Sequence, residues 1–139
     1  MIERILHKGA PTPRGPYSSA VRAGDFIFVS GLGPVGEDDK YAFGDIQQQT
    51  RQTLVNLGKI LNDCGATFED VVKCSIFLRD ASEFHKMNEV YAEYFGNIKP
   101  ARTTVEAKFF QTEMRVEIDC VAYKKSSPEA PTPEFFSGV

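Results

Sequence analysis

Residues 46–64 carry a stripe of small and apolar side chains: Ile46, Thr50, Leu54, Leu57, Leu61 and Cys64 recur at steps of three and four, with Thr53 and Ile60 beside them. That period belongs to an amphipathic helix of about five turns, apolar on one side and wetted on the other. Asp45 is placed to cap its start, with Gln48 at the capping-box position. Gly65 supplies a residue that can turn left-handed after its end. A one-sided helix of this length must be buried against another element, so the rest of the chain has to supply an apolar surface.

On both sides the period changes to two. Residues 2–6 read as a short strand, and Pro11, Pro13 and Pro16 then force an extended loop. Residues 18–22 and 26–30 read as strands joined by a tight turn at Gly24-Asp25, and Gly31, Gly33, Pro34 and Gly36 end the second. Residues 71–79 alternate, with Val72, Cys74, Ile76 and Leu78 facing one way and Lys73, Ser75, Phe77 and Arg79 the other. A second helix is expected from about Ser82 to a stop at Gly96, with Phe84, Met87, Tyr91, Tyr94 and Phe95 on one face. Residues 101–108 and 116–123 complete the strands. The order β-β-β-α-β-α-β-β predicts an α/β (α+β) domain: one mixed six-stranded sheet with two helices on one face. The opposite face carries Phe77, Val121 and Tyr123 among Ser75, Glu117 and Asp119, and is expected to pack on another copy of the chain. The domain is expected to span residues 1–124. Residues 125–139 form a proline-rich tail, expected to be extended or disordered, with Phe135-Phe136 near its end.

The 139 residues are 42% hydrophobic and 25% charged, which is ordinary for a globular domain, and the formal net charge is −3. No basic excess exists to neutralise phosphates, so no nucleic-acid partner is expected. The longest apolar run, at residues 26–29, is far too short for a membrane span, and residues 1–8 lack the apolar core of a signal peptide. Cys64, Cys74 and Cys120 are odd in number and form no CxxC pair, and two histidines do not complete a zinc set. Reduced, buried thiols in a cytoplasmic protein are expected, with no metal and no cofactor.

Gly31-Leu32-Gly33-Pro34-Val35-Gly36 matches the dinucleotide-binding glycine pattern in letters only. Pro34 interrupts the turn that would open a helix, and Glu37-Asp38-Asp39 would repel phosphate. His85 reads as a half-buried or solvated residue on the second helix, and His7 has no partner in sequence. The most informative segments are Pro100-Ala101-Arg102-Thr103-Thr104-Val105-Glu106 and Val116-Glu117-Ile118. If the last two strands form a hairpin around Gln111, Val105 lies near Glu117, and Arg102 sits roughly 10 Å further along. An arginine there offers a clamp for a carboxylate, and a glutamate across the gap can orient a water. On pattern alone, the two read as a surface arginine and a strand-face glutamate.

These segments occur together with Gly15-Pro16-Tyr17-Ser18, Phe28-Val29-Ser30-Gly31, Gln52-Thr53-Leu54-Val55-Asn56-Leu57, Asp70-Val71-Val72-Lys73 and Met87-Asn88-Glu89-Val90-Tyr91. In this order the chain resembles the RidA/YjgF reactive-intermediate deaminases over residues 2–124. The resemblance implies a chorismate-mutase-like fold and a homotrimer whose sheets form a central barrel, with active sites between subunits. It implies hydrolysis of 2-imino acids and their enamine tautomers to 2-keto acids and ammonia. Arg102 would then pair with the substrate carboxylate, helped by the backbone N–H of Thr104. Glu117 would orient or deprotonate the attacking water. Tyr17 and Ser30 would line the pocket, and Gly31 would let backbone approach the ligand. Such chemistry needs neither metal nor cofactor. Lys108-Phe109-Phe110-Gln111 and Ser19 depart from the family's usual pattern and bear on pocket shape. Two other readings of the same fold stay open: a non-catalytic, chaperone-like or regulatory binder of small carboxylates, and an RNA-cleaving translation inhibitor.

Overall fold

Six stretches of extended chain pair into one sheet: β1 (Ile2–Ile5), β2 (Ala20–Ala23), β3 (Phe26–Leu32), β4 (Val71–Leu78), β5 (Ala101–Glu106) and β6 (Val116–Tyr123). Their spatial order is β1-β2-β3-β6-β4-β5. β4 and β5 run parallel, and every other neighbouring pair is antiparallel. The computed structural model describes residues 1–126. The expected tail, apart from Lys125 and Ser126, therefore lies outside the described residues, as do Phe135 and Phe136. At its last described position the Ser126 N–H donates to the Asp25 carboxylate at 3.0 Å.

Two helices, α1 (Ile46–Asp63) and α2 (Phe84–Phe95), cover one face of this sheet. The capping box at Asp45 forms as expected: its carboxylate accepts the Gln48 N–H at 2.8 Å, and the Gln48 side chain accepts the Asp45 N–H at 2.9 Å. Gly65 takes φ +77° after the helix end, a conformation that favours glycine. Leu54, Leu57, Ile60 and Leu61 of α1 and Met87, Val90 and Phe95 of α2 meet Ile27, Val29, Cys74, Ile76, Leu78, Val116, Ile118 and Cys120 in one core. All three cysteines are buried and free.

The polar residues on the buried side of α1 serve the loops. Asn56 Nδ2 donates to Gly33 O at 3.0 Å and to Val35 O at 2.8 Å. Gln49 Nε2 donates to Glu113 O at 3.0 Å, and its carbonyl accepts the Arg115 N–H at 2.7 Å. One helix thus ties down two loops that line the cleft described below. These buried amides are costly to disturb, because removing one strands several backbone groups.

The structure corrects several expectations. β5 and β6 do not form a hairpin: β4 lies between them, pairing Phe77 with Val105 on one side and with Glu117 on the other. The chain from β4 to β5 is a β-α-β crossover through α2, which demands parallel neighbours. Residues 107–115 then loop over the end of β4, held by Ala107 N–H to Leu78 O and Arg79 N–H to Arg115 O. In β4, Val71 and not Val72 enters the core, since the register slips by one residue between Val71 and Lys73. β3 continues through Gly31 to Leu32, across a second irregularity. α2 starts at Phe84, after a 3₁₀ turn at Ala81–Glu83 that Asp80 caps.

Candidate functional site

The proline-rich loop and the irregular end of β3 together form a cleft of about 70 Å³. Tyr17, Ser30, Gly31 and Glu117 all line it, so the chain gathers four of the six expected site residues. Its remaining walls include Arg14, Tyr41, Phe110 and Met114.

Each side chain has a defined position. Tyr17 turns back on its own loop: its N–H donates to Gly15 O at 2.8 Å, and its Oη accepts the Arg14 N–H at 3.1 Å. The Tyr17 hydroxyl proton therefore remains available to a ligand. Ser30 Oγ donates to Ser18 O at 2.6 Å, so toward a ligand Ser30 acts as an acceptor. Glu117 stands on β6, on the sheet face away from the helices. Burial and the neighbouring Asp119 carboxylate push its pKa above the ordinary glutamate value. Gly31 is required by that carboxylate. A Cβ built at Gly31 would come within 2.9 Å of the Glu117 carboxyl carbon, so any side chain there displaces the acid.

Arg102 and Thr104 are elsewhere. Arg102 pairs with Cys74 of β4, a core-facing position, whereas Glu117 pairs with Phe77 on the opposite face. Three residues along the strands and two strands across put their backbones roughly 14 Å apart, and strand alternation aims the side chains to opposite sides. The Arg102 guanidinium lies over the Tyr91 ring at 4.8 Å and near the Phe84 ring at 5.4 Å, both on α2. No carboxylate among the described residues pairs with it. β5 is the last strand of the sheet. The Ala107 N–H bonds to Leu78 O of β4, so the alternation of a parallel ladder leaves the Thr104 N–H on the open edge. One chain thus keeps apart two groups, an acid with hydroxyls in the cleft and an arginine near an open edge.

Residues 7–124 match the family model described as Endoribonuclease L-PSP. The chain belongs to the YjgF/RidA family. A RutC family protein of Pyrococcus horikoshii is 45% identical over 126 residues, covering 90% of this chain and all of that protein. Reactive Intermediate Deaminase A of the Arabidopsis thaliana chloroplast is 40% identical, covering 86% of this chain and 65% of that one. The 3-aminoacrylate deaminase RutC of Acinetobacter baylyi is 38% identical over 87% of this chain and 97% of its own. The same fold recurs in the YjgF gene product of E. coli, with TM-score 0.81 and 30% identity over 88% of this chain and 99% of that one. The family accounts for the mixed sheet and two helices, and it includes deaminases.

Arg14, Tyr41 and Met114 were not expected at a YjgF/RidA site from sequence, nor was the aromatic bed under Arg102. Tyr41 and Met114 lie in loops whose packing has no period. Phe84 and Tyr91 are seven residues apart on α2 and read as core positions. The available signals were Arg14, three residues before Tyr17, and the aromatic pair at two-turn spacing. Among the described residues no group of three His, Cys, Asp or Glu is placed to hold a metal ion, and no helix is long and apolar enough to cross a membrane.

Proposed function

We propose that this chain hydrolyses 2-imino acids and their enamine tautomers to 2-keto acids and ammonia, in the cytoplasm, at sites shared between copies of a homotrimer. The observation that carries this reading is the split itself. A half-buried arginine without a carboxylate partner waits at an open edge, and a carboxylate with a raised pKa waits in a separate cleft. The uncovered sheet face supports assembly. Phe26, Phe28, Val105 and Tyr123 stand there between 43% and 47% exposed. An apolar patch of that kind marks a contact surface.

In the assembled site, Arg102 of one copy pairs with the substrate carboxylate, with the Thr104 N–H as a second donor. The imine carbon then faces the water held by Glu117 of the neighbouring copy. The water oxygen bonds to carbon, the C=N electron pair moves to nitrogen, and Glu117 takes the water proton. Glu117 next returns that proton to the nitrogen. As the C–N bond breaks, Glu117 carries the hydroxyl proton to the nitrogen, the C–O bond becomes the keto group, and ammonia leaves. The Tyr17 hydroxyl donates to the developing oxygen, and Ser30 accepts from the nitrogen side. A raised glutamate pKa suits a group that must take and return one proton in each cycle.

The test is ammonia release from imines generated in situ by an amino-acid oxidase or dehydratase. Arg102→Ala is expected to lose a charge-assisted contact worth about 1.5–3 kcal/mol, roughly 10- to 150-fold in rate at low substrate. Glu117→Gln is expected to keep 2-keto acid binding and lose turnover. Unchanged release in Arg102→Ala overturns the assignment. Unchanged turnover in Glu117→Gln removes Glu117 from the role of base, whereas 2-keto acid binding with no ammonia release in the wild type points to a binder instead. The RNA-cleaving reading draws no support from a net charge of −3, and an absence of single-stranded RNA cleavage traceable to Arg102 or Glu117 would dispose of it.

A further inference from the structure

The cleft contains a guanidinium that the reaction above does not use. Arg14 leaves the same tight turn as Tyr17, whose Oη accepts its N–H. Its side chain is 37% exposed and lies over the Tyr41 ring, 4.8 Å from the centroid. Nη2 donates to Asp39 O at 2.6 Å and stands 3.8 Å from the Asp39 carboxylate. That carboxylate already accepts the Thr12 N–H at 2.9 Å, so it holds Arg14 only loosely. Nε and Nη1 meet no acceptor among the described residues. The backbone bond, the ring and the Asp39 carbonyl fix the guanidinium with its remaining donors unspent. Phe110, 77% exposed, lines the same cleft.

We propose that Arg14 is a specificity-determining residue that binds a second carboxylate, carried on the substrate's side chain, so that the preferred substrates are 2-imino dicarboxylates. This rests on the deaminase reading above. With the α-carboxylate on Arg102 of another copy and the imine carbon at Glu117, the remaining substituent extends along this chain's own wall, where Tyr17 and Arg14 stand together. An alkyl side chain placed there would strip water from open guanidinium donors and return nothing. A carboxylate replaces that water with charge-assisted hydrogen bonds, which arginine makes in pairs. Discrimination then comes from both sides, gain for the acidic side chain and penalty for the apolar one.

The experiment compares kcat/KM for imines made in situ from glutamate and from alanine. The wild type is expected to favour the glutamate-derived imine. Arg14→Leu is expected to lower the ratio of the two by about tenfold or more, chiefly through KM for the dicarboxylate, and Arg14→Lys to recover part of it. A wild-type preference for the alanine imine, or a ratio untouched by Arg14→Leu, overturns this inference and leaves the deaminase reading standing. If neither imine is hydrolysed, the deaminase reading fails. Calorimetric binding of 2-oxoglutarate against 2-oxobutanoate then decides the role of Arg14: a dicarboxylate preference lost in Arg14→Leu supports it, and equal binding overturns it.

Discussion

The two faces of the sheet treat their charged residues in opposite ways. On the helix side, Arg102 lies over the Tyr91 ring and near the Phe84 ring, both on α2. On the open side, Glu117 sits against bare backbone at Gly31, beside exposed aromatic residues. The first environment orients a cation and leaves it unpaired. The second raises the pKa of an acid and leaves it wettable. On the proposed reading neither half binds and reacts by itself, and the sheet that holds both also keeps them apart. A site built from them needs the edge of one copy and the cleft of another.

The strongest way to break that comparison is to place each defect in a different chain. Arg102→Ala and Glu117→Gln, each impaired alone, are expected to regain activity when co-assembled, because some sites then draw both intact residues from different copies. Random mixing restores about one quarter of the sites in a cyclic oligomer. No recovery on mixing, measured as ammonia release, would place both residues of a site in a single chain. Next in size, Phe28→Glu puts a charge on the open face, opposite Val121 and Val21. It is expected to leave the circular dichroism unchanged, shift light scattering to single chains, and cut activity at least about tenfold. Tyr91→Leu removes the ring beneath Arg102. A cation–π contact of about 0.5–2 kcal/mol predicts a KM rise of roughly 2- to 30-fold with less change in kcat, and Tyr91→Phe restores most of it.

The smallest expected effect concerns Glu117 and pH. Its folded pKa is raised, so it binds its proton more firmly in the folded chain than in the unfolded one. Folding therefore gains from protonated Glu117 below the ordinary glutamate pKa and gives up that stability as pH rises through the raised value. Glu117→Gln is expected to raise Tm slightly at neutral pH and to leave it unchanged in acid. The acid limb of the wild-type rate profile is expected above the ordinary glutamate range. A Tm lowered at neutral pH by Glu117→Gln would mean that the carboxylate stabilises the fold.

Periodic segments were legible because their burial follows their spacing. The α1 stripe, its Asp45 cap and the alternation of β6 each depend on residues within a turn or two, and all three stand where the pattern puts them. Val72 misled because a register slip costs one residue and shifts the alternation of the strand's start. The role of Asn56 was hidden in the helix, since its partners, the carbonyls of Gly33 and Val35, lie in a distant loop. The pairing of β5 was hidden as well. Two strands adjacent in sequence invite a hairpin, and only the crossover through α2 shows that β4 takes the place between them.

By itself the sequence determined the element order, the one-sided helices, the buried cysteines and the family, because local period and ordered motifs survive without coordinates. It also named Arg102 and Glu117. Tertiary structure alone decided that they face opposite sides of one sheet, that Gly31 makes room for the acid, and that Arg14 joins Tyr17 in the same cleft. Those facts depend on strand order, register parity and loop packing, which are set by contacts between residues far apart in the chain.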